Sequence, residues 1–229
     1  AFDDIVGRGA HGLLVGGTGL YHQAVIDDLA LPGRFPQVLA TLEAEAVDED
    51  CLRSMHGRLA SLDPVAAERM EPTNRRRVLR ALEVTLGAGR PFSSFGPGLD
   101  AHPPTPFVQV GLRLERAVTA GRIAERFDAM IDAGLLDEVR ALVELPGGLS
   151  RTASQALGYR ELAEHLNGER TLTDAVSAAV QRTQQLAVRQ ERWFRRDPRL
   201  VWVDAEADAA TVADRVQAAW ATAGAWEPT

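Results

Sequence analysis

The chain has 229 residues, 45% of them hydrophobic, and a formal net charge of −7; it can bury a proper core, and it is not a protein that coats nucleic acid over its whole surface, although a local basic patch remains compatible. No run of about 18 apolar residues occurs, and the start Ala-Phe-Asp-Asp is neither basic nor apolar, so no membrane span or signal peptide is read and the cytoplasm is the expected location. The single cysteine, Cys51, excludes an internal disulfide or a thiolate cluster, and all 25 basic residues are arginine, so every cationic contact is forked and bidentate in capability.

In chain order, Phe2, Ile5 and Val6 fall at helical spacing before Gly7 and Gly9, so Ala1 to Gly9 reads as the last turns of a helix. Leu13 to Val15 then reads as a short buried parallel strand that stops at a glycine pair, and Tyr21 to Leu29 resumes helical spacing. Glycines at Gly16, Gly17 and Gly19 would let the backbone take positive φ and approach a ligand, and the new helix offers free N–H groups to an anion. Thr18 is the one side chain in the turn able to reach such a ligand. Gly-Gly-Thr-Gly is neither a P-loop nor a dinucleotide loop, and a turn whose glycines serve only packing stays open at this point. A helix that enters a buried strand without neighbouring strands before it leads to the expectation that an upstream part of the core is absent.

Pro36 to Met70 reads as a small helical insertion, broken near Val47 to Asp50 and at Asp63-Pro64, where the aspartate is an N-cap. Thr73 to Val84 starts a helix at a Thr/Asn cap, with Val78, Leu79 and Leu82 inward and Arg76, Arg77 and Arg80 on one face. Such a run is either a solvated face or, with only Glu83 close by, a dense site for phosphates. Gly87 to Pro106 is expected as a loop and Phe107 to Leu114 as a second buried strand. Arg122 to Ala133 and Leu135 to Val143 read as core helices separated by Gly134, and Gly158 sits in mid-pattern between Thr152 and Leu166. Thr173 to Arg195 is the longest helical pattern, and its last turns carry Arg189, Gln190, Arg192, Trp193 and Arg195. Part of this cluster can serve only the helix dipole, but tryptophan and glutamine beside arginine can stack on and hydrogen-bond an unstacked RNA base. Leu200 to Val203 is read as a third strand, and Ala209 to Ala223 as a closing helix with Val212, Val216, Ala219 and Trp220 inward.

Five stretches in order carry a resemblance: Val15-Gly-Gly-Thr-Gly-Leu-Tyr21, Arg77-Val-Leu-Arg-Ala-Leu-Glu-Val84, Arg122-Ile with Arg126 and Gly134-Leu-Leu-Asp-Glu-Val139, Gln155-Ala-Leu-Gly-Tyr-Arg-Glu161, and Arg189-Gln with Trp193-Phe-Arg195. Together they resemble the tRNA dimethylallyltransferases, also called tRNA isopentenyltransferases. The resemblance implies an α/β fold with a P-loop-kinase-like parallel sheet flanked by helices. It divides the chain into a first part of the core (1–29), a helical insertion that contacts the anticodon arm of tRNA (30–72), and the rest of the core with C-terminal helices (73–229). The implied activity is transfer of a dimethylallyl group from dimethylallyl diphosphate to N6 of the adenosine 3′ of the anticodon in tRNA, with Mg²⁺ as cofactor and a monomer as the working form. Carried over position by position, Thr18, the segment Arg76 to Arg80 and the segment Val188 to Arg195 would contact the tRNA.

The departures are specific. The family's Gly-x-Thr-x-x-Gly-Lys-[Ser/Thr] loop and the aspartate that acts as general base are not in this chain and are expected before Ala1, which leaves no catalytic residue here. Gln184 and Val188 stand where the family usually carries cations, and an arginine early in the insertion is replaced near Leu39. An adenylate isopentenyltransferase and a tRNA-binding relic without chemistry are the alternatives.

Overall fold

Helix α1 (Phe2–Gly7) and helix α2 (Gly19–Ile26) flank the glycine turn in the computed structural model, which describes residues 1–96 and 98–223. The contacts divide the chain into two units, Ala1–Pro106 and Phe107–Thr229. The strand expected at Leu13 to Val15 is not formed, and Leu13 and Val15 are 66% and 81% exposed. A parallel strand persists only where neighbours take its N–H and C=O groups, and among the described residues no strand lies beside this one. The positive φ expected at Gly16, Gly17 and Gly19 is also absent. The turn needs none, because Thr18 enters α2 from extended backbone (φ −88, ψ 92).

The rest of the first unit is a helical cluster. Helices α3 (Pro36–Glu45), α4 (Glu49–Leu62), α5 (Pro64–Glu68) and α6 (Arg75–Ala88) enclose Leu42, Leu59, Val78 and Leu82, all fully buried. Each of these side chains contributes about 1.5–3 kcal/mol by leaving water. The caps read from the sequence set the starts: Cys51 N donates to Asp48 Oδ1 at 2.8 Å for α4, and Arg77 N to Asn74 Oδ1 at 3.2 Å for α6. Asp63 does more than cap. Its carboxylate accepts from Ala66 N at 3.0 Å and from both the N–H and the hydroxyl of Ser93 at 2.7 Å, which fastens the short 3₁₀ turn Phe92–Phe95 to α5. Burial pushes the Asp63 carboxyl up, but the donors from Ser93 and Ala66 outweigh it and hold it below the usual range. Helix α6 outruns the expected Val84 by a turn and stops at Gly89 in the left-handed region (φ +67).

In the second unit β1 (Gln109–Arg113) pairs in parallel with β2 (Leu200–Asp204), in register from Gln109 opposite Leu200 to Arg113 opposite Asp204. Neither strand is as buried as a continuous apolar run implies; Leu112 and Val201 are exposed, although Val203, the partner of Leu112, is buried. Between the strands come α7 (Arg116–Asp132), α8 (Leu135–Val143), a 3₁₀ turn (Ala153–Gln155), α9 (Tyr159–Leu166) and α10 (Leu172–Phe194), with α11 (Ala209–Thr222) following β2. Val139, Leu162 and Ala175 form the buried centre, with Ile131, Leu135 and Val176 packed against it. Gly158 is not inside a helix. It precedes α9 at φ +90, with Phe127 lying 3.0 Å from where a Cβ would be, so both the backbone conformation and the space require glycine. The side chains expected inward on α11 are half-buried.

Candidate functional site

In the first unit the site residues read from the sequence fall in two places. Thr18 is the N-cap of α2, yet its hydroxyl makes no capping bond and faces solvent. Its carbonyl instead accepts from Tyr21 N at 2.9 Å and His22 N at 3.1 Å, and His22 Nε2 donates to Gly16 O at 3.0 Å, so the turn is held from within α2. On α6, Arg76 and Arg77 are exposed. Arg80 is not equivalent to them: it donates to Glu83 at 2.7 Å, to Pro32 O at 2.9 Å and to Gly33 O at 3.0 Å. Glu83 is buried and also accepts from Phe35 N at 2.7 Å. Burial pushes its carboxyl up, but Phe35 N and Arg80 more than compensate. The neighbouring Arg75 donates to Ala46 O and Glu43 O, which closes the end of α3.

In the second unit the end of α10 presents Arg189, Arg192 and Arg195 to solvent, with Gln190 and Trp193 half-buried between them. The guanidinium of Arg196 lies 5.6 Å from the centre of the Trp193 ring. Glu191 accepts from Arg195 and, at 3.4 Å, from Arg116 at the start of α7, so part of this cationic face already holds a carboxylate.

Beside it lies a cleft of ≈ 310 Å³ lined by Gln155, Leu157, Arg160, Arg182, Gln185 and Arg189. One wall is the segment around Gly158 and the other is a face of α10, where Arg182, Gln185 and Arg189 recur at helical spacing. Behind the wall, Glu161 is buried and accepts from Gly158 N at 2.9 Å and from Arg182. Burial raises its carboxyl, while Arg182 and the Gly158 N–H lower it further, leaving it ionised below the usual range. Arg160 is steadied by Glu164 at 2.9 Å. The cleft therefore presents three guanidiniums and two amides around one leucine, a donor-rich surface suited to a phosphate or a base edge. Of its lining only Arg189 was identified from the sequence as a site residue. The Arg182, Gln185, Arg189 periodicity was the available signal for the rest of its α10 face.

Among the described residues no group of three or more His, Cys, Asp or Glu side chains could hold a metal ion, so the donors present do not form a metal centre. No described helix is long and apolar enough to cross a membrane.

The sequence model of the family described as IPP transferase matches residues 1–197. The chain belongs to the IPP transferase family. Curated members similar to it include the tRNA dimethylallyltransferase of Thermobifida fusca, 46% identical over 205 residues that cover 90% of this chain and 63% of that protein. The enzyme of the same description from Salinispora arenicola is 45% identical over 225 residues, 97% of this chain and 64% of that one. The chain thus spans less than two thirds of the length of these IPP transferases. Among solved structures, the tRNA isopentenylpyrophosphate transferase of Bacillus halodurans is 32% identical with a TM-score of 0.61, covering 97% of this chain and 69% of that one. The Staphylococcus epidermidis tRNA delta(2)-isopentenylpyrophosphate transferase is 31% identical with a TM-score of 0.60, covering 96% and 72%. A eukaryotic dimethylallyltransferase acting on tRNA, 22% identical with a TM-score of 0.71, shares the fold. The α/β class with a parallel sheet flanked by helices, expected from the sequence, stands in this helix-rich form.

Proposed function

We propose that this chain is the RNA-gripping portion of a tRNA dimethylallyltransferase, which moves a dimethylallyl group from dimethylallyl diphosphate to N6 of the adenosine 3′ of the anticodon. The observation that carries the reading is the cleft of the second unit, where Arg160 and Arg182 meet Arg189 from the segment that resembles the family's RNA contact. In the reaction the exocyclic amine attacks C1 of the dimethylallyl group, the C1–O bond breaks, diphosphate departs with the electron pair, and N6 gives up a proton. A base within a stacked loop must first be flipped out, so the protein has to hold the surrounding backbone while the loop opens. Arg76, Arg77, Arg189, Arg192 and Arg195 supply the phosphate contacts, Gln190 and Trp193 a hydrogen-bonding and stacking surface, and Thr18 a hydroxyl at the glycine turn. Arg80 belongs to the same segment through its grip on the Pro32-Gly33 loop.

No residue of this chain is assigned to the proton transfer. Mg²⁺, where bound with the prenyl donor, would supply charge neutralisation for the leaving diphosphate, and no side chain described here is assigned to hold it. The working form in this reading is a cytoplasmic monomer.

The test uses the full-length protein that carries this chain, labelled dimethylallyl diphosphate, Mg²⁺, and an unmodified anticodon stem-loop. Label is expected in RNA with adenosine 3′ of the anticodon and not in RNA with guanosine there. Equal labelling of free AMP, or no binding of the stem-loop, overturns the reading.

A further inference from the structure

We propose that Arg182 is a phosphate-binding residue and that the buried Glu161 is the positioning residue that aims it. The inference rests on the reading above, because it takes the cleft of the second unit as a site for a phosphate-bearing ligand.

Three observations support it. Arg182 lies in the wall of the cleft with its side chain 43% exposed, while its Glu161 partner is 2% exposed, so the ion pair has a dry end and a wet end. A guanidinium has five donors in a rigid plane, and those not taken by Glu161 are left for a ligand. The same carboxylate accepts the N–H of Gly158, the residue at φ +90 that separates Leu157 from α9. One buried group thereby fixes both walls of the cleft, the α10 guanidinium and the loop that carries Gln155 and Leu157. Finally, the charges do not cancel. Arg160, Arg182 and Arg189 face the cleft, whereas Glu161 lies behind it and Glu164 is shared between Arg160 and Arg170. An anion entering the cleft meets a net positive, donor-rich wall.

Glu161 is itself negative, so two roles predict opposite signs. If it only subtracts charge from the cleft, Glu161→Gln strengthens phosphate binding. If it aims Arg182, the same change weakens binding, because Arg182 loses its anchor. The ligand phosphate can come from the RNA backbone or from the prenyl diphosphate, and separate titrations distinguish them.

The experiment measures binding of an unmodified anticodon stem-loop and of dimethylallyl diphosphate to the full-length protein and to its Glu161→Gln, Arg182→Ala, Arg182→Lys and double Glu161→Gln/Arg182→Ala variants, with folding checked by circular dichroism. Glu161→Gln and Arg182→Ala are each expected to weaken one of the two ligands by about tenfold, the usual size of a lost hydrogen bond to a charged group. The double variant should be no weaker than Arg182→Ala, since Glu161 acts through Arg182. Loss confined to RNA, with a salt slope lower by about 0.7–0.9, assigns the phosphate to the backbone; loss confined to the diphosphate assigns it to the prenyl donor. Arg182→Lys keeps the ion pair but not the fork, so it covers the case in which Glu161→Gln does not fold, and it too should bind about tenfold more weakly. Unchanged or tighter binding by folded Glu161→Gln, additive losses in the double variant, or wild-type binding by Arg182→Lys overturns the proposal while the tRNA reading stands. A wild-type protein that binds neither ligand removes both.

Discussion

Arg80 reaches forward along α6 to Glu83, 2.7 Å away, whose carboxylate is 4% exposed and has Phe35 N as its other donor. Its neighbour Arg77, one turn earlier on the same face, is exposed. Two arginines that look alike in sequence therefore answer mutation differently. Arg80→Ala should cost on the order of 2 kcal/mol in urea denaturation, because it strips a buried carboxylate of its cation. Arg77→Ala should change stability by less than about 0.5 kcal/mol. In filter binding across a salt series, Arg77→Ala should flatten the slope for tRNA by about 0.7–0.9, one phosphate contact. An unchanged slope would mark the Arg76-Arg77 face as merely solvated.

Glu191 holds Arg116 and Arg195 on the exposed end of α10. Pairs this exposed add little to folding, so Glu191→Gln should melt like the wild type. Its effect should appear in RNA binding: with the competing carboxylate neutralised, affinity at low salt should rise by about threefold to tenfold and the salt slope should steepen. Equal affinity would take Arg116 and Arg195 off the RNA surface.

Asp197 anchors the start of β2. It accepts from Arg199 at 2.7 Å and from Gln109 at 3.1 Å. Burial raises its carboxyl, but the Arg199 and Gln109 donors prevail and bring it from 3.8 to about 2. A group depressed in the folded state stabilises at pH values above its unfolded value, and that contribution fades as the pH falls through the folded value. The wild type should therefore exceed Asp197→Asn by about 2 kcal/mol at pH 7, and the gap should close between about pH 4 and pH 2. A gap that persists at pH 2 would assign the stability to packing instead of charge.

Gly158→Ala tests the wall of the cleft. A side chain at φ +90 carries backbone strain, and its Cβ would press on Phe127. A loss of about 2 kcal/mol is expected from the two together. Binding of the stem-loop at a temperature where the variant is folded should also weaken, because Leu157 and Arg160 flank the displaced residue. A variant with wild-type stability would mean that the loop relaxes freely.

The helices were legible because their signals are local. Apolar spacing plus Asp63-Pro64 and Asn74 fixes α4 to α6, and apolar spacing alone fixes α10, within a few residues. The Leu13 to Val15 strand was not, because an apolar run becomes a strand only beside another, and its hydrogen bonds depend on residues far away in sequence. Gly158 read as a helix interruption because the pattern on both sides is helical; its positive φ leaves no mark in that pattern, and the nearness of Phe127 comes from another element. The site was half legible for a similar reason. Arg189 and Trp193 stood out by density, whereas Arg160 and Arg182 become one cleft only once α9 packs against α10; Glu83 three residues on hinted at the pairing of Arg80, but its bonds to Pro32 O and Gly33 O come from a distant segment.

The parallel pairing of β1 with β2 also bears on how the second unit assembles. Most of its helical residues lie between the two strands, so closing the sheet means closing a very long loop, while the packing of α7 to α10 involves nearer neighbours. Helices should therefore condense first and the strands zip together late. Stopped-flow refolding of a variant with Trp202 as its sole tryptophan should show fluorescence change after the far-ultraviolet helix signal; simultaneous phases would mean that sheet and helices nucleate together.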